Sequence, residues 1–342
     1  MAQAETAETA NGAEGPRPSG GARLRALLRG RPGDRDIWRR GILLAAAAVL
    51  LALVMVLHAR IPNRVGNLGS LVETFLPWFG LLVPLILLGA LLRRSATALV
   101  ALLLPLVVWL NLFGGLLTGK SAADGGDLTV ATHNVNAGNP DPAGTAREVA
   151  ASGADVLALQ ELPAGQVAVY EEALAATYPY HAVEGTVGLW SRYPLSGQAP
   201  VDIGLGWVRA MRATVTAPGG AVEVYVAHLP SVRVKLNAGF TAGQRDASAD
   251  ALGEAIARAR HDRVVLLGDL NGTMNDRALN AVTSQMRSTQ GAAGDGMGFT
   301  WPAAFPMARI DQIMVRGMEP VASWSLPRTD SDHLPIAARV SF

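Results

Sequence analysis

The 342-residue sequence contains no cysteine, so the chain forms no disulfide. A domain outside the cytoplasm could have used disulfides, and their absence means that this one depends on its packed core and on bound metal. The absence of cysteine does not indicate whether the domain lies inside or outside the cytoplasm. No internal repeat is evident either. What the chain has in excess is apolar sequence, because 50% of its residues are hydrophobic and its mean hydropathy is +0.25, high values for a soluble protein.

Charge is almost missing from three long stretches, Gly41 to Ala59, Thr74 to Leu92 and Ala96 to Leu117. Each approaches the roughly 20 residues that cross about 30 Å of hydrocarbon. The alternative, three buried helices of a soluble core, would leave consecutive helices without a polar face for water. We therefore predict three transmembrane helices, at about 41–59, 74–92 and 96–117. A signal peptide is disfavoured because the first run starts late, lacks an A-x-A-like cleavage site and is followed by two more.

The arginines predict the orientation of these spans. Residues 1–40 read as a disordered, basic cytoplasmic arm, rich in Ala, Gly, Glu and Pro at its start and in arginine towards its end. Arg93 and Arg94 lie between the second and third spans, so both basic segments should face the cytoplasm. Three crossings then place a linker, residues 118–126, and everything after it outside. The prediction is a multi-pass protein of the cell membrane with an extracytoplasmic domain at 127–342.

From Asp127 onward, short apolar runs alternate with turn residues and a few helices, as in one large α/β domain with mixed sheets. Helices are predicted near Gln166 to Ala176, Gln244 to Ala259 and Asp276 to Met286. Strands are predicted at Leu128 to His133, Asp155 to Leu159, Val187 to Trp190, Arg209 to Thr216, Val222 to His228, Val264 to Leu267, Ile310 to Val315 and Ile336 to Val340.

This domain has no basic excess. It contains 16 Lys and Arg against 21 Asp and Glu, a net charge of −5. Proteins that hold a duplex usually display a basic stripe, because phosphate contacts dominate that affinity. A nucleic-acid partner is therefore disfavoured. The arginines of the cytoplasmic arm fit membrane topology and attraction to anionic lipid.

Polar side chains follow several predicted strands at the point where each strand ends: Asn134, Glu161, His228, Asp269 and Asn271. Taken singly, each signal is weak. Asn134 is typical of a turn or cap, Asp269 and Asn271 are typical of an Asx-turn, Glu161 could be a solvated strand end and His228 a buried histidine with satisfied hydrogen bonds. Together they supply what phosphate-ester hydrolysis needs, namely ligands for a hard cation, a means of activating water, and donors to phosphate oxygens.

The order of these residues resembles the motifs of the endonuclease/exonuclease/phosphatase superfamily over about 127–342. The resemblance implies a four-layered α/β sandwich of two packed sheets flanked by helices, with the site at one sheet edge. It is carried by seven segments: Leu128 to Val135, Asp155 to Glu161, Gly188 to Pro194, Val224 to Leu229, Leu267 to Asn271, Arg309 to Asp311 and Ser331 to Pro335.

By this resemblance Glu161 is the main metal ligand, with Asn134 beside it and Asp332 completing the shell around Mg²⁺ or Mn²⁺. Asp269 and Asn271 would orient the attacking water and the phosphate. His228 would donate to a non-bridging oxygen.

His333 would pair with Asp311 and act as a base or as a phosphate-binding imidazolium. Arg233, shortly after His228, could reach a substrate phosphate, although a solvated loop position is the plainer interpretation. His133 stands where the family often has an aromatic residue, and no counterpart is found of the tyrosine that DNA-repair members carry. A DNA-repair role is therefore disfavoured.

The layout, three spans before an outward phosphoesterase, is similar to actinomycete membrane proteins associated with teicoplanin and vancomycin resistance. This likeness implies a lipid-linked phosphate substrate at the outer leaflet, such as a polyprenyl pyrophosphate of the cell-wall lipid cycle. A phospholipid or sphingolipid phosphodiesterase and a surface nuclease remain as alternatives. A binding or sensing module without turnover is a further alternative, although the residues such a module would lose, Glu161, Asp269 and His333, are all present.

Overall fold

The computed structural model describes residues 38–122, 124–235 and 239–342, so positions 1–37 of the predicted basic arm lie outside the described residues. The chain divides into two compact units. Among the described residues, one comprises 38–52 and Leu81–Leu106, and the other comprises Leu53–Gly80 and the residues from Val107 to Phe342. The larger unit thus contains part of the apolar N-terminal region as well as the predicted extracytoplasmic domain.

The N-terminal region consists of helices α1 (Ile42–Leu57), α2 (Leu68–Thr74), α3 (Leu82–Leu92) and α4 (Ala96–Phe113). Two continuous helical stretches, Ile42–Arg60 and Ala96–Leu116, are long and apolar enough to cross a membrane. A third crossing is obtained if α2 and the helical stretch Leu76–Leu92 count as one broken span.

The second predicted span, 74–92, is not one straight helix. Leu68–Thr74 and Leu76–Leu92 meet at a bend of 69°, and a 3₁₀ segment occupies Leu76–Leu81. Pro77 explains the break, because proline lacks the N–H needed inside an α-helix and disfavours helical geometry in the residue before it.

Within the smaller unit, the beginning of α1 lies against the turn between α3 and α4. The Ser95 hydroxyl donates to the Arg40 carbonyl, and Gly41 has φ of 71° in close contact with Ser95, where a Cβ would come within 2.8 Å. The ends that carry Arg39–Arg40 and Arg93–Arg94 are therefore neighbours. Their placement on one side of a membrane stays a prediction.

Fourteen strands follow among the described residues, and twelve of them form two six-stranded mixed sheets. The first sheet has the order β13-β14-β1-β2-β4-β3, and the second β11-β12-β10-β7-β6-β5, while β8 and β9 form a separate pair. The strands are β1 (Leu128–Asn134), β2 (Val156–Gln160), β3 (Tyr180–Glu184), β4 (Val187–Ser191), β5 (Leu195–Pro200), β6 (Ala210–Ala217), β7 (Gly220–His228), β8 (Val234–Lys235), β9 (Gly239–Phe240), β10 (Val264–Asp269), β11 (Arg287–Ser288), β12 (Asp311–Arg316), β13 (Glu319–Ser325) and β14 (Ile336–Ser341).

Helices cover the outer face of each sheet: α5 (Pro142–Ala150) and α6 (Val167–Leu174) on the first, α7 (Gly243–Ala257) and α8 (Asn280–Thr283) on the second. A short α9 (Thr289–Ala293) follows β11. Alternate residues of the central strands face opposite layers, so Val265 and Leu267 enter the core between the sheets while Val264 and Leu266 pack under α7. This is the predicted four-layered sandwich.

Strand register brings the polar strand ends together. In the first sheet Asn134 on β1 is opposite Gln160 on the parallel β2, so Glu161 comes next to Asn134. In the second sheet Asp269 on β10 is opposite both His228 on the parallel β7 and Asp311 on β12.

Gly268 allows the close approach of β10 to β7, because at its φ of 148° a Cβ would lie 1.9 Å from the Ala227 carbonyl oxygen. The polar residues therefore meet at one edge of the sandwich.

The segment 58–80 packs on the same domain. Glu73 is fully buried and its carboxylate lies 2.9 Å from Nε of Arg277, which follows β10. The Trp78 indole N–H donates to the Met307 carbonyl at 2.7 Å, and its ring stacks on Phe299 with centroids 5.7 Å apart. Part of the apolar N-terminal region therefore belongs to the same packed unit as the α/β domain.

The predicted linker also lies on the domain. The backbone N–H of Lys120 donates to the Asp295 carboxylate at 2.7 Å, and the Ser121 hydroxyl donates to the Ala293 carbonyl at 2.9 Å. The Ala122 N–H donates to Val321 at the edge of the first sheet. Residues 120–122 of the linker are thus bound to the domain.

Candidate active site

Asn134 and Glu161 form the part of the site that belongs to the first sheet. The Asn134 amide donates to the Glu161 carboxylate at 3.2 Å, and the Ala137 N–H donates to the other Glu161 oxygen at 3.0 Å. Glu161 has a left-handed backbone, φ 61°, immediately after β2. Non-glycine residues in this region cost free energy and concentrate at functional sites. Glu161 is therefore held in place by two donors and a strained turn.

Asp269 connects the two sheets. Its carboxylate accepts from the Asn134 amide at 3.0 Å and from the Asn271 side chain at 3.1 Å and backbone at 2.8 Å. Asn271 also has a positive φ, 46°. Burial raises the pKa of Asp269 to about 7, against the lowering effect of nearby His333. A carboxylate poised near neutral pH can accept a proton in a reaction.

His333 and Asp311 form a buried pair. Nδ1 of His333 lies 2.9 Å and 3.1 Å from the two carboxylate oxygens of Asp311, and Nε2 lies 3.8 Å from Asp269. Burial alone would lower the pKa of His333, but the Asp311 and Asp269 carboxylates raise it to about 10. Burial likewise disfavours the Asp311 anion, yet the imidazolium holds the pKa of Asp311 below its usual range. The pair is thus ionised at neutral pH, with Nε2 directed towards Asp269.

His228 approaches the same carboxylates from β7. Its Nε2 lies 3.5 Å from Glu161 and 3.6 Å from Asp269. The sequence motifs did not single out its other neighbour, Arg209, whose guanidinium contacts the His228 ring and lies 5.1 Å from the centroid of Trp207. Burial, Arg209 and His333 together keep the pKa of His228 well below its ordinary value, so the ring is neutral.

Arg245 is a second residue that no motif indicated. Its side chain is fully buried in α7, 2.6 Å from the Asp276 carboxylate and 2.7 Å from that of Asp246. It also donates to the backbone carbonyl of Asn271 at 2.8 Å. Arg245 therefore fixes the turn that carries Asn271 without lining the pocket itself. An arginine near the start of an alanine-rich helix gives no sequence signal for this role.

A pocket of about 500 Å³ opens over these groups. Of the predicted site residues, it is lined by Glu161, Arg233, Asp269, Asn271, Asp332 and His333. Asn134, His228 and Asp311 lie behind this surface and contact its members. The structure therefore brings the nine predicted residues to one place. Arg233 and Asp332 are exposed at the rim, and the Trp301 indole N–H lies 3.4 Å from Asp332.

The donor set suits a divalent cation. Glu161, Asp269 and Asp332 present carboxylate oxygens to the pocket, and oxygen ligands are those that Mg²⁺ and Mn²⁺ prefer. Asp269, Asp311 and His333 also each offer a ligand atom, all within 4.8 Å of one another. In that trio Asp311 is already engaged by the His333 ring, so the Glu161 side of the pocket is the better fit.

Residues 131–333, more than half of the chain, match the Endonuclease/Exonuclease/phosphatase family. The chain belongs to this family. Members of the family are phosphoesterase or nuclease hydrolases, and the chain is a hydrolase. Family members typically depend on divalent metal. No curated protein matches it by sequence.

Solved structures confirm the family fold. TDP2 from D. rerio, in complex with a single-strand DNA product, is 20% identical with a TM-score of 0.54, covering 63% of this chain and 99% of that one. A mannosyl-6-phosphatase from Bacteroides thetaiotaomicron is 18% identical with a TM-score of 0.50, covering 63% and 100%. Beta toxin from Staphylococcus aureus is 15% identical with a TM-score of 0.52, covering 63% and 100%. Each of these structures covers 63% of this chain, so more than a third of the chain has no counterpart in them.

Proposed function

We propose that this family member is a membrane-anchored, divalent-metal-dependent phosphoesterase that hydrolyses a lipid-linked phosphate or pyrophosphate at the outer membrane surface. The substrate we favour is a polyprenyl pyrophosphate of the cell-wall lipid cycle, with a role in glycopeptide-antibiotic resistance. One observation carries the proposal. The pocket that contains the catalytic side chains has an apolar wall, and part of that wall comes from the N-terminal region.

The wall contains Phe75, Val232, Phe240, Trp301 and Ile310. Phe75 directly follows α2, in the segment that packs on the domain through Glu73 and Trp78. A sugar phosphate would leave this surface uncovered, whereas a lipid tail would bury it. Burial of apolar area stabilises a complex by about 25 cal/mol per Å², so the wall favours substrates with a hydrocarbon chain next to the phosphate.

The side chains divide the chemistry between them. Asp269, with a pKa near neutrality, accepts the proton of the attacking water, which Asn271 helps to orient. The imidazolium of His333, held by Asp311, donates to a phosphate oxygen and stabilises the charge that develops there. Neutral His228 donates to a second oxygen, with Arg209 behind it.

Glu161, with Asn134 and Asp332, would hold Mg²⁺ or Mn²⁺. When bound, the cation would neutralise phosphate charge as a Lewis acid. The fixed position of Glu161, between the Asn134 amide and the Ala137 N–H, suits a ligand that must not reorganise during turnover. The net charge of −5 on the domain argues against a nucleic-acid substrate.

The test is hydrolysis by the detergent-purified full chain of a polyprenyl pyrophosphate, a phospholipid and DNA, each with Mg²⁺ or with EDTA. Released inorganic phosphate is measured for the first substrate, and the phosphomonoester products of diester cleavage are measured for the other two. His333→Ala serves as the catalytic control, because it removes a donor without touching the apolar wall. We expect release from the polyprenyl substrate, lost with EDTA and reduced by the substitution. Cleavage of phospholipid alone would make the chain a lipid phosphodiesterase, and cleavage of DNA alone would make it a surface nuclease. No cleavage of any substrate would favour a binding module.

A further inference from the structure

A second cavity lies on the other side of the segment 74–77. Its volume is about 310 Å³, and it shares only Thr74 with the catalytic pocket. One part of its lining is apolar and comes from the end of α4 and the turn after it, including Leu112, Phe113 and Leu116. The other part comes from the phosphoesterase domain and includes residues of α9 and β12. The proposed activity gives this cavity no role.

Arg309 lines the cavity and is only 7% exposed. One of its terminal nitrogens, Nη1, donates to the Gly298 carbonyl at 2.8 Å. Its Nε and Nη2 are buried and have no hydrogen-bond partner among the described residues. The neighbouring carboxylate along the chain, Asp311, is bound to His333. Because an unpaired buried charge is costly, this guanidinium has the chemistry of an anion site.

Two buried glutamines add unused acceptors to the same lining. The Gln290 amide nitrogen donates to the Asp295 and Gly296 carbonyls at 3.1 and 3.0 Å. The Gln312 amide nitrogen donates to the Arg309 carbonyl at 2.8 Å. These bonds fix the orientation of both amides, and they leave both Oε1 atoms buried without a donor. The lining therefore contains a buried cation with two unpaired donor atoms and two amides whose acceptor atoms are also unpaired.

We propose that this cavity binds a phosphate-bearing headgroup whose own hydroxyl or ammonium groups donate to the two glutamines. Phosphate oxygens match the paired donors of an arginine, and a donor-bearing headgroup matches Gln290 and Gln312. Burial lowers the pKa of Arg309 to about 10, so the guanidinium is still cationic at neutral pH. Lys120, at the mouth, adds a second positive charge.

The same phosphate chemistry could come from a phospholipid or from a free phosphate ester. The apolar lining supplied by the end of α4 favours the lipid, because α4 is one of the helices apolar enough to cross a membrane. Phosphatidylglycerol supplies a phosphate, hydroxyl donors and acyl chains together. Glycerol 3-phosphate supplies only the polar part.

The absence of native cysteine makes a direct test possible. Met297, a half-buried residue of the cavity lining, is replaced by cysteine in the full chain, and the rate of maleimide labelling is measured in detergent. The ligands are short-chain phosphatidylglycerol, glycerol 3-phosphate, inorganic phosphate and diacylglycerol. Val169→Cys, on the exposed face of α6, is the matched control.

We expect phosphatidylglycerol to slow labelling of Met297→Cys at least fivefold, with no effect on Val169→Cys. A second substitution, Arg309→Gln, should weaken this protection. If Arg309→Gln unfolds the chain, Lys120→Gln takes its place and should have the same effect. Protection by glycerol 3-phosphate at equal concentration would identify a free ester as the ligand. The proposal is overturned if Met297→Cys is labelled at the same rate with phosphatidylglycerol, glycerol 3-phosphate, inorganic phosphate and diacylglycerol. Labelling does not report hydrolysis, so its result is independent of the proposed function.

Discussion

The contact between Arg277 and Glu73 makes a quantitative prediction about how firmly the apolar segment is bound to the enzyme. Arg277→Met removes the charge that faces the fully buried Glu73 carboxylate at 2.9 Å. It also removes donors to the carbonyls of Ala59 at 2.6 Å and Ile61 at 2.7 Å, where the helical stretch that begins with α1 ends. The methionine retains much of the apolar stem.

Breaking a buried ion pair from one side costs about 3–5 kcal/mol. The Arg277 side chain is 31% exposed, so water can reach part of the site and we expect the lower end of that range. For a unit of this size, about 3 kcal/mol corresponds to a fall of roughly 6–12 °C in the thermal midpoint. In the double variant with Glu73→Gln, the loss should be smaller than the sum of the single losses by about 1–3 kcal/mol, because no unpaired charge is left buried.

The assay is thermal unfolding of the detergent-solubilised full chain, followed by tryptophan fluorescence. Arg258→Met is the matched control, because Arg258 forms an exposed i,i+4 pair with Glu254 and should change stability by roughly 0.5 kcal/mol or less. The reasoning is refuted if Arg277→Met behaves like Arg258→Met, or if the two single losses simply add.

Four other outcomes are expected. Asp311→Asn should lower kcat for phosphate release by about 10²–10⁴-fold, because the His333 ring loses the carboxylate that holds and charges it; a change of under threefold would contradict this role. Glu161→Gln should weaken Mg²⁺ binding at least ~10-fold in calorimetric titration, and an unchanged isotherm would show that Glu161 does not bind the metal. Phe75→Ala should lower kcat/KM for a long-chain lipid phosphate roughly tenfold more than for a short-chain one, and equal losses would remove Phe75 from the chain-binding surface. Glu223→Gln should destabilise the fold at pH 7, with the difference from wild type shrinking below about pH 4. Burial opposes ionisation of Glu223, but the Arg260 and His261 N–H groups, the Tyr225 hydroxyl and Arg212 lower its pKa in the folded state. The carboxylate therefore stabilises the fold above the ordinary pKa of Glu, and this stabilisation is lost as the pH falls through the pKa of the folded state. A constant difference across unfolding curves at several pH values would show that the charge plays no part.

The site could be predicted from sequence because it depends on strand ends. Asn134, Glu161, His228 and Asp269 follow apolar runs that are unmistakable as strands, and parallel pairing of neighbouring strands brings such ends to one edge. The roles of these residues stay predictions until variants are measured. Arg209 and Arg245 could not be found in this way, since their importance comes from contacts across the fold rather than from local pattern.

The elements that sequence missed are those without a clear apolar pattern. The edge strands β3 and β5 are mostly exposed or half-buried, so alternation is weak. Helix α5 contains two glycine or proline residues in nine and begins at the Asp141 cap, which accepts from Gly144 at 2.8 Å. The bend after α2 was hidden for the opposite reason. It lies inside a long apolar run that predicts one continuous span, and Pro77 is the residue there that indicates a break.

The packing of segment 58–80 on the hydrolase domain limits which N-terminal regions could replace the one present here. In sequence, the catalytic part begins near Asp127, and a chain cut there would still contain every family motif. In space, the cut would remove Phe75 from the pocket wall and expose the surfaces of Phe299 and Met307 that Trp78 covers. The N-terminal region and the hydrolase domain are therefore not independent parts, and an N-terminal region taken from another protein could replace this one only if it brought an equivalent of this segment with it.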